Sequence, residues 1–236
     1  MFALRIIRNM ETSEIPLTGG RSTETVVRIE DTVHRSMKNN APFIHSFLKH
    51  LEKEQFSYSP RFLGIDEDDR EILTFIEGEV PLGVVFNDEK LIACIKILRE
   101  LHDVASRSDL CDSEETICHN DFSPWNMIFE NGKPVGIIDF DEAAIGARID
   151  DVAYFLWTFL ELGNSIATDE VQINRIEMLC KIYDLPKGQN LVNAILQQQQ
   201  RILEFRKERA LNEIDEDKKA FSAGKVKQIQ MEIDWV

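Results

Sequence analysis

Two short stretches in the middle of the chain decide how the sequence is interpreted. The first is His119-Asn120-Asp121-Phe122-Ser123-Pro124-Trp125-Asn126, and the second is Gly136-Ile137-Ile138-Asp139-Phe140-Asp141. Asp121 precedes Asn126 by five residues, and Asn126 precedes Asp139 by 13. The pattern is therefore H-x-D-x-x-x-x-N followed by I-D-F-D, and each stretch places acidic or amide side chains at fixed intervals.

This set of oxygen-bearing side chains suits phosphoryl transfer. One carboxylate must orient or deprotonate an acceptor hydroxyl, and oxygen ligands must hold Mg²⁺ on the phosphates of a nucleotide. The five-residue gap allows one loop to present Asp121 and Asn126 to the same cleft. Asn131-Gly132 is a strong hairpin-turn signal between two apolar runs, and that hairpin would return Asp139 to the same place.

The two stretches resemble the catalytic and metal-binding motifs of the aminoglycoside phosphotransferase family, a branch of the protein-kinase-like fold that also contains choline and homoserine kinases. The run Gly146-x-x-x-Asp150-Asp151-Val152-Ala153 resembles the G-x-x-x-x-D-L-A run of that family. The motif-bearing match covers residues 115–157, and a looser order of lobes extends it over most of the chain. The resemblance implies Mg²⁺-dependent transfer of the γ-phosphate of ATP or GTP to a hydroxyl of a small molecule.

The resemblance also implies the role of each residue in the motifs. Asp121 would be the catalytic base or the residue that orients the hydroxyl, and His119 would brace the loop. Asn126 and Asp139 would bind Mg²⁺. Any single aspartate in so acidic a chain is more simply explained as a helix cap or a solvated turn. The combined spacing favours an active site, because independent caps have no reason to recur in this order.

Asp151 and Asp141 are expected behind these groups rather than on the reacting atoms. The resemblance implies that Asp151 steadies the loop that begins at His119. Asp141 ends the I-D-F-D segment and is placed in the same supporting layer.

The rest of the chain predicts an α+β protein with the two-lobed protein-kinase-like fold. Residues 1–77 would form a small N-terminal β-sheet lobe with one helix, and residues 78–236 a larger, mainly helical lobe with the catalytic loop and the metal-binding hairpin. The predicted strands are 25–29, 32–35, 61–65 and 71–76, and the predicted first helix is 42–54. The predicted later helices begin near Asn87, run from 151 to 162 with Gly163 as C-cap, and then span about 168–183, 188–216 and 217–233.

Nucleotide binding is expected to involve several N-terminal residues. Gly19 and Gly20 stand where the family has its phosphate-covering loop, although a plain hairpin turn explains them equally well. The hinge between the lobes is expected near Phe75 and Glu77, where the backbone would bind the purine.

One part of the family pattern is missing. Kinase-like folds place a lysine on the third strand, and here Arg35 is its nearest equivalent, with Arg28 and Lys38 as rivals. The helix position that usually holds the partnering glutamate holds His45-Ser46, and Glu52 follows about two turns later. This departure leaves a nucleotide-binding pseudokinase, acting as a scaffold or regulator, as the alternative. An acidic, helix-rich interaction protein without nucleotide is the third possibility.

Composition limits the partners. The formal net charge of −15 disfavours nucleic acid and is compatible with an amino-bearing acceptor, whose identity the sequence leaves open together with the oligomeric state. No apolar run reaches the roughly 20 residues that cross a bilayer, so no membrane partner and a cytoplasmic location are expected. The four cysteines are expected to be reduced, and Trp157 to lie in the core. Three histidines are expected at the surface or its boundary: His34, His50 and His102.

Overall fold

The computed structural model describes residues 13–17, 26–81, 83–164 and 166–236. The chain divides into two units, of which the first contains Met1–Asn39 and Arg61–Phe75, and the second contains Asn40–Pro60 and Ile76–Val236. The first unit therefore ends two residues before the predicted boundary at residue 77. The second unit includes the segment 40–60 and its helix, which the sequence assigned to the first lobe.

The first unit is an antiparallel sheet in the order β1-β2-β3-β5-β4. Its strands are β1 (Ile15–Pro16), β2 (Val26–Ile29), β3 (Thr32–Ser36), β4 (Phe62–Ile65) and β5 (Arg70–Thr74). The two predicted hairpins are thus present. Glu30 occupies the tight turn between β2 and β3 with a φ of 52°.

The second unit contains six helices in the described part of the chain. They are α1 (Ala41–Lys53), α2 (Asp88–Ala105), α3 (Arg148–Leu160), α4 (Asp169–Tyr183), α5 (Leu191–Asn212) and α6 (Glu216–Trp235). Asn87 caps α2 as predicted, since its side chain accepts a hydrogen bond from the backbone N–H of Lys90 at 3.0 Å. Across the described residues, none of the helices has the length and hydropathy that a membrane span requires.

Helix α1 belongs to the second unit because its contacts are there. The ring of Phe47 lies 6.0 Å from that of Phe140. His50 Nε2 donates to the carbonyl of Val104 on α2 at 3.0 Å. At the start of the helix, Asn40 Nδ2 donates to the carbonyl of Asp141 at 2.6 Å. These contacts join α1 to α2 and to the segment that follows Asp139.

Two short antiparallel sheets frame the motif-bearing loops. Strand β6 (Thr116–Cys118) pairs with β9 (Ala144–Gly146), and β7 (Met127–Glu130) pairs with β8 (Lys133–Ile137). The second pair is the predicted hairpin, and its turn residues Asn131 and Gly132 both have positive φ, at 51° and 77°. The first pair was not predicted. It fixes the points at which the chain enters the His119 loop and approaches α3.

The predicted C-cap of α3 was wrong. The helix ends at Leu160, and Glu161 adopts the left-handed conformation at its C-cap. Gly163 instead permits a close approach to α6, because a Cβ built on it would lie 2.8 Å from the Cα of Glu232.

Candidate active site

The carboxylate of Asp151 holds the loop that follows β6. Asp151 is fully buried in the first turn of α3. Its Oδ2 accepts from the backbone N–H of His119 at 2.6 Å, and its Oδ1 accepts from that of Asn120 at 2.8 Å. His102 Nε2, from α2, donates to the same Oδ2 at 3.0 Å. Asp151 therefore fixes the start of the loop to two helices.

The protonation state of Asp151 follows from these donors. Burial by itself would raise the pKa of the carboxyl. The hydrogen bonds from His102 and from the backbone N–H of His119 outweigh burial and lower the pKa of Asp151 below its usual value. The carboxylate is therefore maintained in a fully buried position, where it can accept all three bonds.

Cys118 lies beside His102 and Asp151, and these three residue types can together bind a metal ion. Ligand-type atoms of His102, Cys118 and Asp151 lie within 4.8 Å of one another. Yet His102 already donates directly to Asp151, and Cys118 Sγ donates to the carbonyl of Ala147 at 3.2 Å. Burial raises the pKa of the Cys118 thiol far above its ordinary value, which opposes the thiolate that a metal needs. The three residues form a hydrogen-bonded network.

His119 connects the loop to the segment that bears Asp139. Its Nε2 donates to the carbonyl of Ile138 at 3.2 Å, and its Nδ1 accepts from the backbone N–H of Asp121 at 3.3 Å. The ring also lies 4.6 Å from that of Phe140. Burial lowers the pKa of His119 below 6.5. A neutral imidazole with one donor and one acceptor fits both bonds, as a bracing role requires.

Asp121 is held by a donor at each carboxylate oxygen. The hydroxyl of Tyr154, on α3, donates to Oδ1 at 2.7 Å, and Asn126 Nδ2 donates to Oδ2 at 2.8 Å. Burial raises the pKa of Asp121, and the charge of Asp139 raises it further, while the two hydrogen bonds oppose the shift. The carboxylate is therefore fixed in orientation and lies within electrostatic range of Asp139.

The amide of Asn126 is oriented by the same contacts. Its Nδ2 donates both to the side chain and to the backbone carbonyl of Asp121, at 2.8 and 3.0 Å. This geometry commits the nitrogen side of the amide to Asp121 and leaves Oδ1 as the oxygen available to a cation. The backbone carbonyl of Asn126 accepts from the N–H of Ile138 at 2.9 Å, which places Asn126 beside the residue that precedes Asp139.

Asp139 has a strained backbone. Its φ of 65° and ψ of 62° are in the left-handed region, which is unfavourable for a residue with a side chain. Both hydrogen-bonding groups of Ile138 are held, one by His119 and one by Asn126, so the strain is imposed by the neighbouring structure. Strain of this kind is concentrated at functional sites. The donor set, an amide oxygen from Asn126 and a carboxylate from Asp139, is one that Mg²⁺ prefers.

The following turn is also anchored. Asp141 is buried, and its carbonyl accepts the bond from Asn40 already described. Asn120 Nδ2 donates to the carbonyl of Glu142 at 2.9 Å. The structure therefore brings together the residues assigned to the motifs: His119, Asp121, Asn126, Asp139, Asp141 and Asp151.

Comparisons with known proteins identify the family of the chain. The model of the phosphotransferase enzyme family matches residues 106–183, which include the loop, the hairpin and α3. The trifolitoxin immunity protein of Rhizobium leguminosarum bv. trifolii is 30% identical over 181 residues, covering 70% of this chain and 69% of that protein. The chain belongs to the phosphotransferase enzyme family. It is accordingly a phosphotransferase of the kind that the sequence motifs resemble.

Solved structures confirm the fold of this phosphotransferase. An amicoumacin kinase aligns with a TM-score of 0.67 at 11% identity, over 92% of this chain and 87% of its own. A choline/ethanolamine kinase family protein from Mesorhizobium loti aligns with a TM-score of 0.61 at 14% identity, over 98% and 92%. Identities this low bear on the fold alone, and the predicted protein-kinase-like fold is confirmed.

The residues predicted for nucleotide binding precede the catalytic and metal-binding motifs in the sequence. Gly19 and Gly20 lie outside the described residues. Arg35 is on β3, and its Nε donates to Glu71 Oε1 on β5 at 2.7 Å. Phe75 lies under the guanidinium of Arg28, 3.7 Å from Cζ to the ring centroid, and Glu77 is exposed in the second unit. Binding of nucleotide by these residues stays a prediction.

Sequence reasoning missed three side chains that support this phosphotransferase's loop. Tyr154 was overlooked, although it follows Asp151 by one helical turn and so shares its face. Arg201 on α5 donates from Nη2 to the carbonyl of Asn120 at 2.9 Å, and no motif marks it. His102 was expected near the surface but is fully buried as the partner of Asp151. His34 is also buried, with Nδ1 2.7 Å from Asp66.

The buried, neutral His119 predicts a pH dependence of stability. Its pKa is lowered by folding, so the unfolded chain takes up a proton near pH 6.5 that the folded protein does not. The free energy of unfolding should therefore fall as the pH falls from about 7 toward the lowered pKa. One proton contributes at most about 1.4 kcal/mol per pH unit. Urea unfolding between about pH 5.5 and 7.5 measures the slope.

The variant His119→Gln should show a shallower slope, because glutamine retains a donor and an acceptor but does not titrate. Equal slopes for wild type and His119→Gln would contradict the prediction.

Proposed function

We propose that this phosphotransferase moves the γ-phosphate of ATP or GTP to a hydroxyl of a small molecule in a Mg²⁺-dependent reaction. The observation that supports this most directly is the arrangement of Asp121, Asn126 and the strained Asp139 around one loop and one hairpin. A catalytic carboxylate and two oxygen ligands are the parts that this chemistry requires.

Asp121 would receive the acceptor hydroxyl. Its two oxygens are held by Tyr154 and Asn126, so its remaining lone pairs keep a fixed direction toward the hydroxyl proton. His119 and Asp151 hold the loop in place without contacting the reacting atoms. Asn126 Oδ1 and the Asp139 carboxylate would hold Mg²⁺, which when bound offsets the negative charge of the β- and γ-phosphates.

We propose an antibiotic as the acceptor class. Support comes from the relative whose name is an immunity protein and from the structural resemblance to an amicoumacin kinase. The net charge of −15 is compatible with an amino-bearing compound of this class. The solved amicoumacin kinase holds AMP-PNP and Ca²⁺, which supports a nucleotide and a divalent cation here.

The alternative remains a nucleotide-binding pseudokinase. It was suggested by the missing lysine and helix glutamate, for which the chain has Arg35 and His45-Ser46. The presence of all three groups, Asp121, Asn126 and Asp139, favours catalysis over it.

The test is a transfer assay with γ-radiolabelled ATP and GTP in Mg²⁺ or EDTA. The acceptor panel contains gentamicin, spectinomycin, amicoumacin and choline, together with a water-only reaction. We expect labelled product or phosphate in Mg²⁺ and none in EDTA. Binding of nucleotide without any turnover would favour the pseudokinase. Absence of both binding and turnover would contradict the proposal.

A further inference from the structure

The sheet of the first unit contains a buried ion pair at the position of the predicted nucleotide anchor. Arg35 and Glu71 are only 9% and 3% exposed. They are direct partners in the antiparallel register of β3 and β5, and Arg35 Nε donates to Glu71 Oε1 at 2.7 Å. On the other side of β3, the register partner of Arg35 is Val26, the first described residue after the predicted glycine loop.

The burial of this ion pair requires a physical explanation. Removing two charges from water is costly, and apolar side chains of similar volume often stabilise a protein as well or better. Neighbouring positions on the same face show that the sheet accepts apolar residues, since Val33 and Leu73 are the register partners two residues along. Stability of the sheet alone therefore does not account for the pair.

The pair supplies the ion pair of the family pattern that this chain otherwise lacks. Kinase-like folds position the strand lysine with a glutamate from a helix. Helix α1 contains a single acidic residue, Glu52, about two turns beyond the expected position. Glu71 provides a carboxylate to Arg35 from a strand instead. The bond engages Nε of the guanidinium and so sets the direction of its plane.

We infer that Glu71 is the positioning residue of this phosphotransferase's nucleotide anchor, holding Arg35 so that its guanidinium meets the phosphates of the nucleotide. This inference rests on the proposed function. Arg35 contacts the nucleotide, and Glu71 acts on it through Arg35. Loss of Glu71 therefore weakens recognition of phosphate and leaves recognition of the nucleoside unchanged.

The experiment compares dissociation constants by calorimetry, in Mg²⁺, for ATP against adenosine and for GTP against guanosine. Glu71→Ala should weaken binding of the preferred triphosphate by roughly 10- to 30-fold, as expected for a charge-assisted contact, and change nucleoside binding by less than about twofold. Glu71→Gln keeps an acceptor oxygen for Arg35 Nε and should recover much of the loss. The control Glu14→Gln alters the carboxylate that pairs with Arg70 at 2.9 Å in the same unit, and should bind as wild type does.

A double variant keeps the test decisive if Glu71→Ala does not fold. Arg35→Met with Glu71→Leu removes both buried charges together. Its triphosphate affinity should equal that of Arg35→Met alone, because the effect of Glu71 on the phosphates is transmitted by Arg35. A lower affinity in the double variant than in Arg35→Met would overturn the inference.

The outcomes separate the inference from the function. If wild type binds triphosphate and the Glu71 variants bind it equally well, the inference is overturned while the proposed function stands. Equal weakening of triphosphate and nucleoside would also overturn it, since that result indicates general damage to the sheet. If wild type binds neither triphosphate, both proposals are overturned.

Discussion

Replacing Asp121 with asparagine is expected to lower turnover by about a thousandfold while the protein remains folded. The carboxylate is the group assigned to accept a proton from the acceptor hydroxyl, and such groups contribute roughly 10²- to 10⁴-fold. Asparagine has nearly the same shape and can still accept from Tyr154, the closer of the two donors at 2.7 Å. Initial rates of phosphoryl transfer, or of nucleotide hydrolysis where no acceptor is added, measure the effect.

The control is Asp109→Asn, which removes an equal charge from an exposed position in the same unit. It should retain the wild-type rate. Nucleotide affinity should change little in Asp121→Asn, because Asp121 is assigned to the acceptor rather than to the nucleotide. Wild-type turnover in Asp121→Asn would exclude Asp121 as the catalytic residue.

Replacing Asp139 with asparagine is expected to abolish most of the stabilisation that Mg²⁺ and nucleotide give together. A ligand at 100 times its dissociation constant stabilises the folded state by about 2.7 kcal/mol, which raises the Tm of a protein of this size by roughly 5–10 °C. Removing the carboxylate that holds the metal should remove most of that rise. Asparagine is chosen because it tolerates the left-handed backbone found at this residue.

Thermal unfolding with Mg²⁺ plus ATP, and separately Mg²⁺ plus GTP, measures this effect. The matched control is Glu142→Gln, three residues along and exposed, where only the backbone carbonyl is used. It should show the wild-type rise in Tm. A full rise in Asp139→Asn would exclude Asp139 as a ligand of the metal.

The sequence predicted those parts of the site whose residues lie close together along the chain. The loop and hairpin were predictable because Asn131-Gly132 fixes a two-residue turn, and the turn fixes where Asp139 returns. The spacing of His119, Asp121 and Asn126 is a property of one loop, so it is visible without the fold. Their roles come from the family resemblance, and the variants above test them.

Contacts made between distant segments were not predictable in this way. Tyr154 meets Asp121, and His102 meets Asp151, only because α2 and α3 pack on the loop. The β6–β9 pair was missed because strands of three residues leave no periodicity to detect. The C-cap at Gly163 was wrong because that glycine serves a contact with α6, which local turn signals do not reveal. The pairing of Glu71 with Arg35 was not predictable, because it depends on the register between β3 and β5.

That register has a consequence for control of the enzyme. In protein kinases the corresponding pair joins a strand to a helix, and movement of the helix switches activity on and off. Arg35 and Glu71 are joined by the backbone ladder of a single sheet, so no rigid-body movement of a helix can part them. On the inference that this pair anchors the nucleotide, Arg35 holds its binding orientation before the nucleotide arrives. The anchor is then assembled whenever the sheet is folded, without a movement of α1.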